Sequence, residues 1–378
     1  MRLAIHDLLD GGPPDHEAIS GFIRERSFPL IEGDRATFVF RGHADGVNLR
    51  HWIYGLESSQ PFTRVHDTDF WYLVHEMPPG SRVEYKLELI RGDHHEWIRD
   101  PFNPHLAQDP FGANSVCSGS GYERPDWTFA DPESRAGHIE DLWLADTPFG
   151  EPRRVSVYLP ARFRPTRRYP LLIVHDGGDY LRYAALKEIL DNLIHRLEVA
   201  PVIAALTHPG DRMIEYPDDA RHAAFLAEHV LPAMEERYPL MPAPATRGLM
   251  GASFGAVASL STAWRYPGKF GRLMLQSGSF AFTDIGNHKR GPAFDRVVEF
   301  VNAFRDAPGR PSEQVYLSCG MYESLIYENR SLVPLLQTTG MDCRYEWVRD
   351  GHNWENWRDR MQAGLSYLFP GPLWMVYE

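Results

Sequence analysis

The stretch Thr246–Pro267, "TRGLMGASFGAVASLSTAWRYP", changes character at one residue. Before Ser253 it is an apolar run that reads as a buried strand. After Ser253 it is rich in alanine and serine and reads as a helix able to pack closely. The junction, Gly251-Ala252-Ser253-Phe254-Gly255, has the form GxSxG. That form is a nucleophile elbow only between a strand and a helix. There the serine sits on a strained turn with its oxygen exposed, and the glycines let backbones pass close. The start of the following helix adds partial positive charge where an oxyanion would develop. In a glycine-rich loop the same five residues would mean nothing. Here the context makes Ser253 a candidate nucleophile.

Outward from this stretch, strands and helices alternate from about residue 138 onward. "RRVSVYLP", "YPLLIVHDGG", "APVIAALTHP", "TRGLMGAS", "GRLMLQSGS", "EQVYLSCGM" and "CRYEWVRDGH" read as strands. "LKEILDNLIHRLE" and "ARHAAFLAEHVLPAMEERYP" read as helices between them. Buried apolar strands alternating with amphipathic helices predict a mostly parallel sheet covered on both faces. The ligand site of such a sheet lies at the carboxyl ends of its strands.

A nucleophilic serine needs a base and an acid. Among 17 histidines, His352 in "RDGHNWENW" follows a strand and a glycine near the carboxyl terminus. It completes the chain order nucleophile, acid, base. The acid is expected after "EQVYLSCG", where Glu323 is the first carboxylate and Glu328 the rival. Its task is to orient the imidazole and stabilise its charged form. The oxyanion hole is expected from the N–H of Phe254 and that of Gly178, with Gly177 as alternative, in the turn "HDGGDY". Asp179 and Tyr180 in that turn, and Trp354 beside the histidine, are candidate substrate-binding residues. His175, Asp176 and Asp179 also admit a metal reading, but no second cluster supplies the remaining ligands, so no metal is expected.

The amino-terminal third has a different texture. "RATFVFRG", "FWYLVHEM" and "RVEYKLELI" carry β-formers bounded by Asp-Gly, Pro-Pro-Gly and Gly-Asp turns. They predict a β-sandwich over residues 1–117, with a short helix over 14–28. A polar stretch over 118–137 reads as a linker, leaving 138–378 as the second domain.

The totals set outer bounds. The chain has 378 residues, 43% hydrophobic content and a net charge of −12. Such acidity disfavours nucleic acid and anionic membranes as partners. No apolar run reaches the ~18 residues of a membrane span, and the first residues lack a secretory pattern, so a cytoplasmic protein is expected. Cys117, Cys319 and Cys343 are too few for a disulfide framework and lack CxxC spacing; free thiols are expected.

These pieces together resemble a known family. "LLIVHDGGDYL", "DRMIEYPDDARHAAFLAEHVLPAMEERYP", "GLMGASFGAVASLSTAWRYPGKFGRLMLQSGSF", "GMYESLIYENRSL" and "DGHNWENWRDRM" resemble, in order, the esterase D-like branch of α/β-hydrolases, which includes the ferric enterobactin (enterochelin) esterases. "RATFVFRGHADGVNLRHW" and "RDPFNP" resemble the immunoglobulin-like early-set domain ahead of those enzymes. The resemblance implies an α/β-hydrolase domain after a β-sandwich, with Ser253 as nucleophile, Glu323 as acid and His352 as base. It implies no cofactor, and a small-molecule ester substrate such as a ferric catecholate siderophore. "IEY" and "QSGS" match family landmarks of unclear role. Two positions depart from the family: Ala256 and Asp350 stand where glycine is usual.

Two other readings stay open. One is a carbohydrate ester hydrolase removing feruloyl or acetyl groups, with Trp52, Trp71 and Trp97 of the β domain on a sugar. The other is a binding protein with a silent hydrolase domain. The β domain is expected to bind a ligand, cover the site mouth or join two copies into a homodimer. Arg349, Arg358 and Arg360 form either a basic patch or ion pairs with Asp350, Glu355 and Asp359.

Overall fold

The computed structural model describes residues 2–283 and 289–372; the rest of the expected second domain, 284–288 and 373–378, lies outside the described residues. Two units divide the chain. One comprises Met1–Glu123 together with Gly320–Ser324 and Val348–Asn353. The other comprises Arg124–Cys319, Leu325–Trp347 and Trp354–Glu378. Two short segments from the carboxyl-terminal half therefore belong to the amino-terminal unit.

In the amino-terminal unit, antiparallel strands form two sheets. One runs Leu30–Glu32, Arg35–Arg41, Phe70–Glu76, Thr63–Arg64. The other runs Ser59–Pro61, Gly46–His51, Arg82–Arg91, Gly112–Ser118, Leu106–Asp109, with His94–Ile98 also on Arg82–Arg91. Phe38, Phe40, Leu49, Trp71, Tyr85 and Leu87 fill the core of the sandwich. Successive side chains of a strand point to opposite faces, yet Ala36 to Phe40 are all buried. The reason is that two short helices, Ala4–Leu9 and His16–Arg24, not the single one expected over 14–28, cover the outer face around Val39 and Phe70. Asp15 caps the second, accepting from the Ala18 N–H at 2.8 Å.

In the other unit, eight strands form one sheet. They are β1 (His138–Leu144), β2 (Arg153–Leu159), β3 (Leu171–Val174), β4 (Ile203–Thr207), β5 (Arg247–Ala252), β6 (Arg272–Gln276), β7 (Gln314–Gly320) and β8 (Asp342–Val348). Their order is β1-β2-β4-β3-β5-β6-β7-β8. The pairs β4/β3, β3/β5, β5/β6 and β6/β7 are parallel, while β1/β2 and β2/β4 are antiparallel. Alternate residues of one strand serve opposite cores: Leu171 and Ile173 one, Leu172 and Val174 the other. Both faces of the central strands β3 to β7 are buried, which is why these read as continuous apolar runs.

Helices α1 (Gly177–Tyr183), α2 (Leu186–His195), α3 (Phe254–Arg265), α4 (Ala293–Asp306), α5 (Ile326–Thr338), α6 (Trp354–Asp359) and α7 (Met361–Leu368) cover the sheet. The expected helix over "ARHAAFLAEHVLPAMEERYP" forms with a wide turn at Phe225–Val230 between Ala220–Ala224 and Leu231–Arg237. Pro232 lacks an N–H and would crowd the carbonyl one turn back, so the backbone widens ahead of it. Trp127, in the stretch read as a linker, is buried against this unit, and Asn192 donates to the carbonyls of Trp127 and Phe129 at 2.9 and 2.7 Å. Among the described residues no helix is long and apolar enough to cross a membrane. Cys117, Cys319 and Cys343 are free thiols, and burial pushes Cys117 up to about 12.

Candidate active site

Ser253 joins β5 to α3 at φ 57° and ψ −121°, a left-handed value that non-glycine residues avoid. Such a conformation costs about 1–3 kcal/mol and persists only where its surroundings hold it. The Ser253 N–H donates to the Gln276 carbonyl on β6 at 2.9 Å. Its carbonyl accepts from the Ser279 N–H at 3.2 Å, and its Oγ lies 3.2 Å from the Ser279 Oγ. The turn also needs Gly251, because a Cβ there would lie 2.4 Å from the Gly255 carbonyl carbon. Backbone cannot yield as a side chain can. Gly251→Ala is expected to cost about 3 kcal/mol and lower the melting temperature by about 5–10 °C, as followed by circular dichroism.

Glu323 and His352 meet. His352 Nδ1 lies 2.6 Å from Glu323 Oε2, and Glu323 Oε1 accepts from the Gly320 N–H at 2.6 Å. Glu323 is buried and the imidazole is about one-third exposed. With Nδ1–H donating to the carboxylate, Nε2 is the nitrogen that carries the lone pair. Glu328, the rival acid, lies on α5 with its Oε1 2.5 Å from Arg290.

The turn after β3 starts α1 at Gly177, with Asp176 ahead of it at φ 51°. The strand expected over "YPLLIVHDGG" thus ends at Val174. Gly177 and Gly178 occupy the first turn of α1, and Phe254 is the first residue of α3. N–H groups at these positions have no carbonyl one turn back within their helix. Asp179 is partly exposed, and burial, then the Asp176 charge, raises its carboxyl. Tyr180 corrects the expectation of a substrate contact. Three residues after Gly177, it shares that residue's buried face; it is fully buried, and its hydroxyl donates to Gln276 Oε1 at 2.7 Å. Trp354 is nearly as buried, with its ring 5.2 Å from Tyr180 and 4.8 Å from Trp357.

His175 is core as well. Burial, then His222, lowers it to about 3, so it is neutral, and its Nδ1 lies 3.0 Å from the Met250 carbonyl. Among the described residues no group of three or more His, Cys, Asp or Glu could hold a metal ion.

Sequence reasoning passed over Arg212. Its Nε donates to both Asp176 oxygens at 3.0 and 2.9 Å, and its Nη2 donates to the Ala252 carbonyl at 3.3 Å. It ties the turn after β3 to the residue before the serine; the "DRMIEY" motif is its sequence signal. In that motif Tyr216 accepts from the Asp176 N–H at 3.0 Å, and Glu215 pairs with Arg153 at 2.8 Å. "QSGS" is a hydrogen-bonding hub. Gln276 Nε2 donates to the Trp357 carbonyl at 2.8 Å, and the Gly278 N–H donates to Asn329 Oδ1 at 3.1 Å.

The arginines after β8 are partnered, though not all as expected. Arg358 pairs with Asp359 at 2.8 Å, Arg360 with Glu346 at 2.6 Å, and Arg349 donates to the Pro79 carbonyl at 2.8 Å. Asp350 pairs instead with Arg82. Of the β-domain tryptophans, Trp71 is core, whereas Trp52 and Trp97 are exposed.

This strand order and elbow define an α/β-hydrolase, preceded by a β-rich domain. The chain belongs to the Esterase family, whose model matches residues 147–368, and it is a carboxylic ester hydrolase. It is similar to the iron(III) enterobactin esterase of Escherichia coli strain CFT073, 24% identical over 364 residues that cover 85% of this chain and 86% of that one. Among solved structures, ferric enterobactin esterase from Salmonella typhimurium has a TM-score of 0.73 at 20% identity, covering 90% of this chain and 95% of that one. Enterobactin esterase from Shigella flexneri in the presence of enterobactin has a TM-score of 0.71 at 20% identity, covering 88% of this chain and 92% of that one.

Proposed function

We propose that the protein is a serine esterase acting through Ser253, His352 and Glu323 on the lactone esters of a catecholate siderophore of the enterobactin type. The observation that carries the reading is the contact between His352 and the buried Glu323. Ser253 Oγ attacks the ester carbonyl while His352 Nε2 takes its proton. Glu323 holds the imidazole in the tautomer that leaves Nε2 to accept, and stabilises the imidazolium that forms. The N–H groups of Phe254 and Gly178 stabilise the oxyanion. The imidazolium then protonates the departing alkoxide, and water, activated by the same histidine, releases the acid. No cofactor enters any step.

The siderophore reading draws support from the likeness to the E. coli enterobactin esterase, whose 85% coverage takes in both units. Net charge offers no long-range attraction for an anionic ferric catecholate, since the chain carries −12. Attraction must then be local; Arg212 is partly exposed 5.8 Å from the Phe254 ring, but Asp176 already pairs its charge. Hydrolysis of ferric enterobactin, apo enterobactin, methyl ferulate and short nitrophenyl esters, compared by kcat/KM, tests the choice. Enterobactin is expected to exceed methyl ferulate by at least about tenfold. The reverse order would move the assignment to carbohydrate esters.

A further inference from the structure

We propose that Arg82, on a strand of the amino-terminal β domain, is a positioning residue for the base: it fixes the segment around His352 and thereby holds the imidazole on Glu323. The inference rests on the role proposed above for His352.

Arg82 is 1% exposed, and one nitrogen of its guanidinium, Nη1, is turned to this task. Nη1 donates to Asp350 Oδ1 at 3.0 Å and to Asn353 Oδ1 at 2.9 Å. Nη2 donates to Glu84 at 2.9 Å, and the Arg82 backbone N–H donates to the Arg349 carbonyl at 2.9 Å. Asp350 and Asn353 lie on either side of His352 in the chain. They are also joined to each other, Asn353 Nδ2 donating to Asp350 Oδ1 at 2.9 Å, and the Gly351 N–H donates to the same oxygen at 2.7 Å. One guanidinium thus grips the histidine's segment at both ends. Burial pushes Asp350 up to about 6 while Arg82 pulls the other way, so at neutral pH the partner is a carboxylate.

The acid's segment is pinned into the same assembly. The Tyr322 N–H donates to the Asp350 carbonyl at 3.1 Å, and the Met321 N–H donates to the Val348 carbonyl at 2.7 Å. The Tyr54 N–H of the β domain donates to the Tyr322 carbonyl at 2.7 Å. The approach is so close that a Cβ at Gly320 would lie 2.3 Å from the Asp350 backbone carbonyl oxygen.

A buried ion pair is weak ground for arguing stability, because apolar residues of similar volume often serve as well. Orientation is a better account. A base displaced by about 1 Å can lose about a hundredfold in rate. Glu84 on Nη2 sets the plane of the guanidinium and so aims Nη1 at Asp350 and Asn353, whereas lysine presents a point charge with no such plane. Asp350 stands where the family resemblance leads one to expect glycine, so this grip belongs to a departure of this chain.

The test uses the full chain and nitrophenyl acetate, with circular dichroism to establish folding. Arg82→Met is expected to lower kcat by about 10- to 100-fold with KM within about twofold. Arg82→Lys should recover only part of the loss. In a Glu323→Gln background, Arg82→Met should cost less than about threefold, because the couple it aligns is already broken. A purely structural role would give the same loss in both backgrounds. That result, or a native kcat in folded Arg82→Met, overturns the inference. Should Arg82→Met not fold, Asn353→Ala is read the same way: a kcat loss confined to the Glu323-containing background supports the inference, and a native kcat overturns it. Hydrolysis that survives Ser253→Ala overturns the triad reading and this inference with it. Hydrolysis that needs Ser253 but not Arg82 overturns this inference alone.

Discussion

Ser253→Ala is expected to lower kcat for ester hydrolysis by about 10⁴- to 10⁶-fold while leaving the fold intact. The loss is large because, in the proposed mechanism, the hydroxyl oxygen is the atom that becomes acylated. The fold should survive because the strain of the elbow is in the backbone, at φ 57°, and alanine inherits it unchanged. Among the described residues, the Ser253 hydroxyl makes its one side-chain hydrogen bond to Ser279 Oγ, at 3.2 Å. A melting temperature within about 2 °C of native, measured beside the rates, would separate loss of chemistry from loss of structure.

Glu323→Gln is expected to lower kcat by about 10⁴-fold. The amide fills the same volume but removes the charge that stabilises the imidazolium, and it can present an N–H to Nδ1 and so reverse the tautomer. The position is unforgiving, because Glu323 is 3% exposed and its other oxygen already accepts from the Gly320 N–H. Glu328→Gln supplies the contrast. Its carboxylate is engaged by Arg290, so kcat should stay within about threefold of native. Equal losses at the two positions would mean that the acid has been misassigned.

The two results would also show how far the candidate site can be read from the chain. Ser253 is legible because its whole context lies within Thr246–Pro267. Strand, glycine, serine, glycine and helix follow one another, and local pattern suffices. The central strands β3 to β7 of the second unit are legible for a similar reason, since burial on both faces makes them largely apolar, whereas the edge strand β1, half exposed and carrying His138, Glu140 and Asp141, offers no such run and goes unread. Their order is not legible, and nothing local says that β4 lies between β2 and β3. The acid is harder, since choosing Glu323 over Glu328 rests on its being first after β7, while the physical distinction is a partner, Arg290, far off in sequence. Tyr180 misleads because a glycine turn suggests an exposed loop, whereas Gly177 opens a helix whose inner face takes the ring. Arg82 is out of reach altogether. It reads as the first residue of an alternating strand, and its partner Asp350 lies 268 residues away.

The central claim is covalent catalysis at Ser253, and the most direct measurement is the mass of the protein quenched during turnover of nitrophenyl acetate. The account predicts a fraction of the native chain heavier by one acetyl group. Peptide mapping should place that group on the fragment containing Ser253, and the adduct should be absent from Ser253→Ala. Turnover with no adduct at Ser253, or with an adduct on another residue that survives Ser253→Ala, would contradict it.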